Sequence, residues 1–220
     1  MSHWSVFYAP HTDDEVLGMA GHIIEAKRLK RQVLVVLVTD NLPSPRGRAI
    51  FPDKDVPEER RKEWRAACHA LGVDATQEWD LKEEEMARNP WRMTGVIMEH
   101  MRATAQQFAP LDHHTTMGIE DAPLNFNGSA SILAHSLCAK ALERIGFTRS
   151  FLHGVYIYGK PQPERIAPQT FTMKNYHMIR KREALACYGP GPESIGYGHR
   201  SVPELFAGAD EDPVEYFQEI

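Results

Sequence analysis

The chain has 220 residues, 42% of them apolar and 25% charged, a globular composition that excludes disordered, collagenous and coiled-coil classes. Twenty-five Lys and Arg against thirty Asp and Glu leave a net charge of −5, too acidic and too evenly spread for nucleic-acid binding by bulk charge. No apolar run approaches the roughly 20 residues that span a bilayer, and the opening Met1-Ser2-His3-Trp4 has no basic leader, so neither a membrane span nor a secretory signal is expected.

In chain order, Trp4 to Ala9 predicts a strand and Val16 to Arg31 an amphipathic helix whose last turn carries Lys27, Arg28, Lys30 and Arg31. Val33 to Thr39 is an unbroken β-branched and leucine run, as expected of a strand covered on both faces. Residues 40–56 read as a long loop with three prolines. Pro57 to Leu71 reads as a helix with Pro at its start and Gly72 past its end. A short strand over Thr76 to Leu81, a helix over Pro90 to Phe108 and a strand end near Leu111 to Thr116 follow. After a loop at 117–128 come a helix near Ser131 to Arg144, a strand over Phe151 to Tyr158 and a helix over Asn175 to Tyr188. The tail from Gly189 reads as irregular. This alternation predicts a single α/β domain over 1–220, Rossmann-like, with a mostly parallel sheet and helices on both faces.

Cys68, Cys138 and Cys187 are odd in number and widely spaced, which suits reduced thiols in the cytoplasm rather than a disulfide frame. Eleven His point instead to a metal. In open α/β sheets ligands bind beyond the carboxyl ends of strands, and Pro10-His11-Thr12-Asp13-Asp14-Glu15 follows the first strand directly. Three successive carboxylates would repel a phosphate, and no GxG precedes Gly18 and Gly21, which excludes a dinucleotide turn. An imidazole and carboxylates in one turn can instead ligate a Zn²⁺-like ion, whose hydrolytic form keeps three protein ligands and a water. A helix cap would need only one Asp and would leave the His unexplained.

The run Pro10-His11-Thr12-Asp13-Asp14-Glu15-x-x-Gly18-x-x-Gly21 resembles the P-H-x-D-D-E signature of the zinc-dependent LmbE-like, or PIG-L-like, N-deacetylases, which act on N-acetylglucosamine-type compounds. Arg60-x-x-Glu63-x-x-Ala66 with Leu71-Gly72, and Lys181-x-x-Ala184-Leu185, are similar to later family segments. The resemblance implies a Rossmann-like domain with zinc, or another divalent metal, on His11 and Asp14. It makes Asp13 the general base for a metal-activated water, and Arg60 a substrate-binding residue. The substrate expected is a small molecule, an N-acylated amino sugar or related metabolite.

The family's H-P-D-H motif, source of its third ligand, is missing. His135, one turn into the helix that fits the place, is expected to supply that ligand, with His114 and His113 as rivals. His114 is also the candidate general acid for the departing amine. Asp112-His113-His114 spells the DHH tripeptide of a phosphoesterase family, but its companion motifs are absent. Glu83-Glu84-Glu85 reads as a solvated face, Met98 and Met101 as core, and Tyr156 and Tyr158 either as a sugar-stacking pair or as cross-strand packing. An ester or phosphoester hydrolase and a catalytically silent glycan-binding module are the alternative readings. The sequence leaves the oligomeric state open, a homo-oligomer included.

Overall fold

A computed structural model describes residues 3–43, 45–52, 55–117, 130–154, 169–192 and 194–220. The first strand, β1 (Trp4–Ala9), leads into a short helix α1 (Asp14–Leu17) and then α2 (Ala20–Arg28). The single helix expected over Val16 to Arg31 is therefore broken at Gly18-Met19, where the backbone leaves helical geometry. β2 (Gln32–Thr39) follows, and the loop expected over 40–56 contains a helix, α3 (Pro45–Ile50). Next come α4 (Val56–Leu71), β3 (Ala75–Leu81), α5 (Glu83–Arg88), α6 (Pro90–Phe108), β4 (Asp112–Thr116), α7 (Ala130–Ile145) and β5 (Ser150–His153). Tyr156, Tyr158 and most of the loop at 117–128 lie outside the described residues.

The remainder is β6 (Gln169–Thr172), α8 (Asn175–Ala186), the hairpin β7 (Pro190–Gly191) and β8 (Ser194–Ile195), α9 (Tyr197–Ser201), α10 (Pro203–Glu211) and β9 (Val214–Glu219). The tail is thus ordered, against the expectation of irregular structure. Its Gly, Pro and acidic residues are spread through α9, α10 and the strands as well as the turns.

Among the described residues the main sheet runs β3-β2-β1-β4-β5-β9-β6. The strands from β3 to β5 are mutually parallel, and β9 lies antiparallel between β5 and β6. This is the mostly parallel, helix-flanked sheet that the sequence predicts. Alternate residues of β1 feed two cores. Phe7 and Ala9 join Leu17, Ile23, Trp64 and Leu185 on one face, while Val6 and Tyr8 join Met93, Ile97, Ala134 and Leu142 on the other. Strand order reverses between β1 and β4, so the crevice beyond their carboxyl ends is the place where such a sheet accepts a ligand.

The late strand is locked by buried charge. Glu215 of β9 accepts the Gly21 N–H on both carboxylate oxygens, at 2.9 and 3.0 Å, and Lys181 of α8 donates to Oε1 at 3.3 Å. Lys181 and Glu215 are both fully buried as side chains, so each supplies the other's counter-charge. A Cβ on Gly21 would meet Glu215 Oε2 and Phe171 Cε1 at 2.8 Å. The second glycine of the motif is therefore a close-packing position. Gly21→Ala is expected to lower stability by about 1–3 kcal/mol in urea unfolding, as overpacking does. An unchanged midpoint would show that Glu215 and Phe171 give way freely.

Candidate metal centre

The turn after β1 is built around Asp13, which has φ 91°, in the left-handed region. A non-glycine residue there costs about 1–2 kcal/mol and must be held. Its backbone N–H donates to the Tyr188 hydroxyl at 2.9 Å, and that hydroxyl donates to Glu15 Oε1 at 2.6 Å. Asp13 occupies the N-cap position of α1 but makes no side-chain capping bond, so the capping explanation for this Asp fails. The preceding residue is also tied down. The Thr12 N–H and hydroxyl donate to Asn41 Oδ1 at 3.0 and 3.3 Å, and Asn41 itself has φ 56°.

Within this turn the His11 N–H donates to Asp14 Oδ2 at 2.8 Å. The His11 Nδ1 atom lies 3.5 Å from Asp14 Oδ2 and 3.2 Å from His135 Nε2, and His135 Nε2 lies 3.7 Å from Asp14 Oδ1. All three residues are buried, and among the described residues they form the one His/Asp group compact enough to hold a metal ion. Ligand atoms around a tetrahedral zinc with bonds of about 2.0–2.1 Å stand roughly 3.3 Å apart, so the triangle has the right size. Asp14 Oδ1 is buried without a hydrogen-bond partner among the described residues, as a ligand oxygen lacking its ion would be. Burial pushes the His11 and His135 imidazoles down to about 4, which leaves both neutral with a lone pair to give. The residues present fit a divalent cation.

Around the triangle, His11 Nε2 stands 3.6 Å from Glu83 Oε1, and Thr116 Oγ1 lies 2.5 Å from His135 Nδ1. Glu83 was expected on a solvated face with Glu84 and Glu85. Instead it starts α5 with its N–H donated to Asp40 Oδ1 and is only 4% exposed. Glu83, Thr116, Asn41 and Tyr188 are the neighbours that sequence reasoning missed. Only tertiary contact brings them in, and no local motif marks them.

Asp13 adjoins this group, and burial lifts its carboxyl to about 8, against the pull of the Arg60 guanidinium and with help from Asp14 and Glu63. Arg60 donates to the Asn41 and Thr12 carbonyls at 3.3 and 3.4 Å and lies over the Tyr197 ring at 4.5 Å. At 6% exposure it clamps two turns together and places a positive charge near Asp13.

His114 is not brought to the triangle. Its Nδ1 is 3.0 Å from His153 Nε2, its Nε2 is 3.3 Å from Asp112 Oδ1, and its ring stacks between Phe7 and Phe151. It sits two residues before the end of β4, about 7 Å of strand short of the crevice, and points into the core layer that contains Phe7. His113 faces the opposite layer, with its Nδ1 3.1 Å from the Tyr8 hydroxyl and its ring stacked on Phe147. Strand alternation thus carries both rivals of His135 away, and with them the proposed general acid.

Replacing Tyr188 by Phe deletes the hydroxyl that serves both Asp13 and Glu15. Stability is expected to fall by about 1–3 kcal/mol in denaturant titration, the cost of leaving buried polar groups unpaired. A loss below about 0.5 kcal/mol would mean that the strained turn is held by something else.

Three solved structures illustrate how widely the fold is shared. A triple mutant of a deacetylase of the teicoplanin biosynthetic pathway is 20% identical, with a TM-score of 0.69 over 98% of each chain. The 4-carboxy-2-hydroxymuconate hydratase GalB from Pseudomonas putida is 16% identical, with a TM-score of 0.63 over 99% of this chain and 96% of that one. The N,N'-diacetylchitobiose deacetylase from Pyrococcus horikoshii is 15% identical, with a TM-score of 0.59 over 100% of this chain and 84% of that one. No curated protein matches the sequence significantly. Among the described residues no helix is long and apolar enough to cross a membrane. Residues 6–130, which include the whole turn after β1 and the last residues of β4, match the PIG-L family described as GlcNAc-PI de-N-acetylase, and the chain belongs to that family.

Proposed function

We propose that the protein is a zinc-dependent N-deacetylase that removes an acetyl, or a similar small acyl group, from the amine of an amino-sugar-like metabolite. The observation that carries this reading is the triangle of His11 Nδ1, the Asp14 carboxylate and His135 Nε2 in a chain of the PIG-L family. Those three residues would hold the ion, and two neutral imidazoles with one carboxylate suit zinc while leaving a position for water. When bound, the ion supplies Lewis acidity, lowering the pKa of water and polarising an amide carbonyl.

The remaining chemistry belongs to the chain. Asp13, next in sequence to Asp14, takes the proton of the attacking water on its carboxylate. Water oxygen joins the carbonyl carbon, the C–N bond breaks, and the proton held by Asp13 can pass to the departing amine. Arg60 favours the ionised form of Asp13 and, through the Thr12 and Asn41 carbonyls, keeps the turn in place. His11 and Asp14 arrive together on the strained turn, so their spacing is set before any ligand enters. The silent-module reading rested on the missing third-ligand motif, and the position of His135 beside His11 and Asp14 speaks for an enzyme. The shared fold of a hydratase keeps one other reading in view, in which the same water is delivered to a different electrophile.

The decisive experiment incubates the zinc-loaded protein with a panel of N-acetylated amino sugars and measures free amine. Chelation is expected to abolish release and zinc to restore it. His11→Ala and His135→Ala should each lose the bound metal by mass spectrometry. Asp13→Asn should keep the metal and lose about 10²–10⁴-fold in rate, the usual worth of a positioned base. Asn tolerates the left-handed region, so that variant tests charge rather than backbone. Full activity in Asp13→Asn would remove the proposed base. Amine release from no panel member, with turnover of esters or unsaturated acids, would establish the other reading.

A further inference from the structure

His135 is presented by α7, but the group directly behind its ring comes from β4. Thr116 Oγ1 is 2.5 Å from His135 Nδ1, and both residues are fully buried. The opposite ring nitrogen, Nε2, faces His11 Nδ1 at 3.2 Å and Asp14 Oδ1 at 3.7 Å. A neutral imidazole carries one proton, so the hydrogen bond on one nitrogen decides what the other nitrogen offers.

We propose that Thr116 is a positioning residue: its hydroxyl oxygen accepts the Nδ1–H of His135 and keeps the Nε2 lone pair turned towards His11 and Asp14. The inference rests on the metal reading given above and deepens it. Two features of the fold support it. First, Thr116 belongs to a strand that is paired on both sides, with β1 and β5, and it lies opposite His153 in register. The next residue, Met117, donates its N–H to the His153 carbonyl at 2.7 Å. The hydroxyl is thus fixed by the sheet rather than by the helix it steers. Second, Asp13, Asp14 and Glu15 already place three carboxyl groups in this turn, all buried. A hydroxyl sets the tautomer without adding a further negative charge there, whereas a carboxylate behind His135 would add one. Groups of this kind behind a ligating imidazole are typically worth 10–100-fold in metal affinity.

The test uses the full-length protein, zinc as the probe, and the variants Thr116→Val and Thr116→Ser. Val keeps the β-branched shape without the hydroxyl, and Ser restores it. Zinc affinity, from competition with a chromophoric chelator, should fall about 10–100-fold in Thr116→Val and stay within about threefold of wild type in Thr116→Ser. Long-range ¹H–¹⁵N spectra of the metal-free protein should show His135 protonated at Nδ1 in wild type and Thr116→Ser, and at both nitrogens in exchange in Thr116→Val. Unchanged affinity and tautomer in Thr116→Val would overturn the proposal. So would protonation at Nε2 in the wild type, which needs no variant to fold. If the wild type takes up no zinc, the metal reading fails by itself, and the spectra of the metal-free protein still decide the role of Thr116.

Discussion

The burial of Asp14 is the constraint around which this molecule is arranged. One carboxylate oxygen accepts the His11 N–H, while the other faces the His135 ring at 3.7 Å without a hydrogen bond among the described residues. A buried carboxyl group left unsatisfied in this way costs several kcal/mol unless a cation or a proton compensates it. Burial raises the Asp14 carboxyl above its ordinary range, and His135 and the His11 N–H oppose that rise. The same low-dielectric surroundings keep both imidazoles uncharged. One physical condition therefore yields both a carboxylate oxygen in need of positive charge and two neutral imidazoles with lone pairs to give.

Holding that arrangement requires backbone strain, and contacts from distant parts of the chain offset it. Asp13 is kept at positive φ by Tyr188, which follows α8, and Thr12 is held by Asn41, which follows β2. Arg60 of α4 bridges the carbonyls of both turns. Glu63, one turn further along α4, accepts from Ser194, Gly196 and Tyr197, so the hairpin and α9 are fastened to the same helix. The reversal of strand order between β1 and β4 then opens the crevice in which these turns meet. His11 and Asp14 enter from β1, while His135 enters from α7 and Thr116 from the end of β4.

Much of the fold was legible because its signals are local. The β-branched run of β2, the alternating strand–helix pattern and the Pro-to-Gly bounds of α4 depend only on neighbours in sequence. The glycine break between α1 and α2 was less legible, because periodicity continues across Gly18-Met19 even though the backbone does not. The ordered tail was missed for a related reason. β9 is anchored by its pairing with β5 and β6 and by the Gly21 N–H and Lys181 meeting Glu215, and nothing near residue 215 announces those partners. His114 shows the converse: a residue with suitable chemistry near a strand end, placed by alternation in a layer of aromatic rings.

By itself the sequence determined the strand–turn–helix that brings His11, Asp13 and Asp14 within one turn, because residues so close in the chain have few ways to be apart. It also determined the chemical kind of the site, since three adjacent carboxyl groups and an imidazole favour a cation over a phosphate. Tertiary structure alone decided which of the later histidines faces Asp14, that Glu83 is buried while Glu84 is not, and that Thr116 stands behind His135. Those outcomes depend on helix rotation and strand register, which are set by packing between distant segments, His11 and His135 being 124 residues apart. Local patterns fix what each segment is, and only the summed contacts of the folded chain fix which way its side chains point.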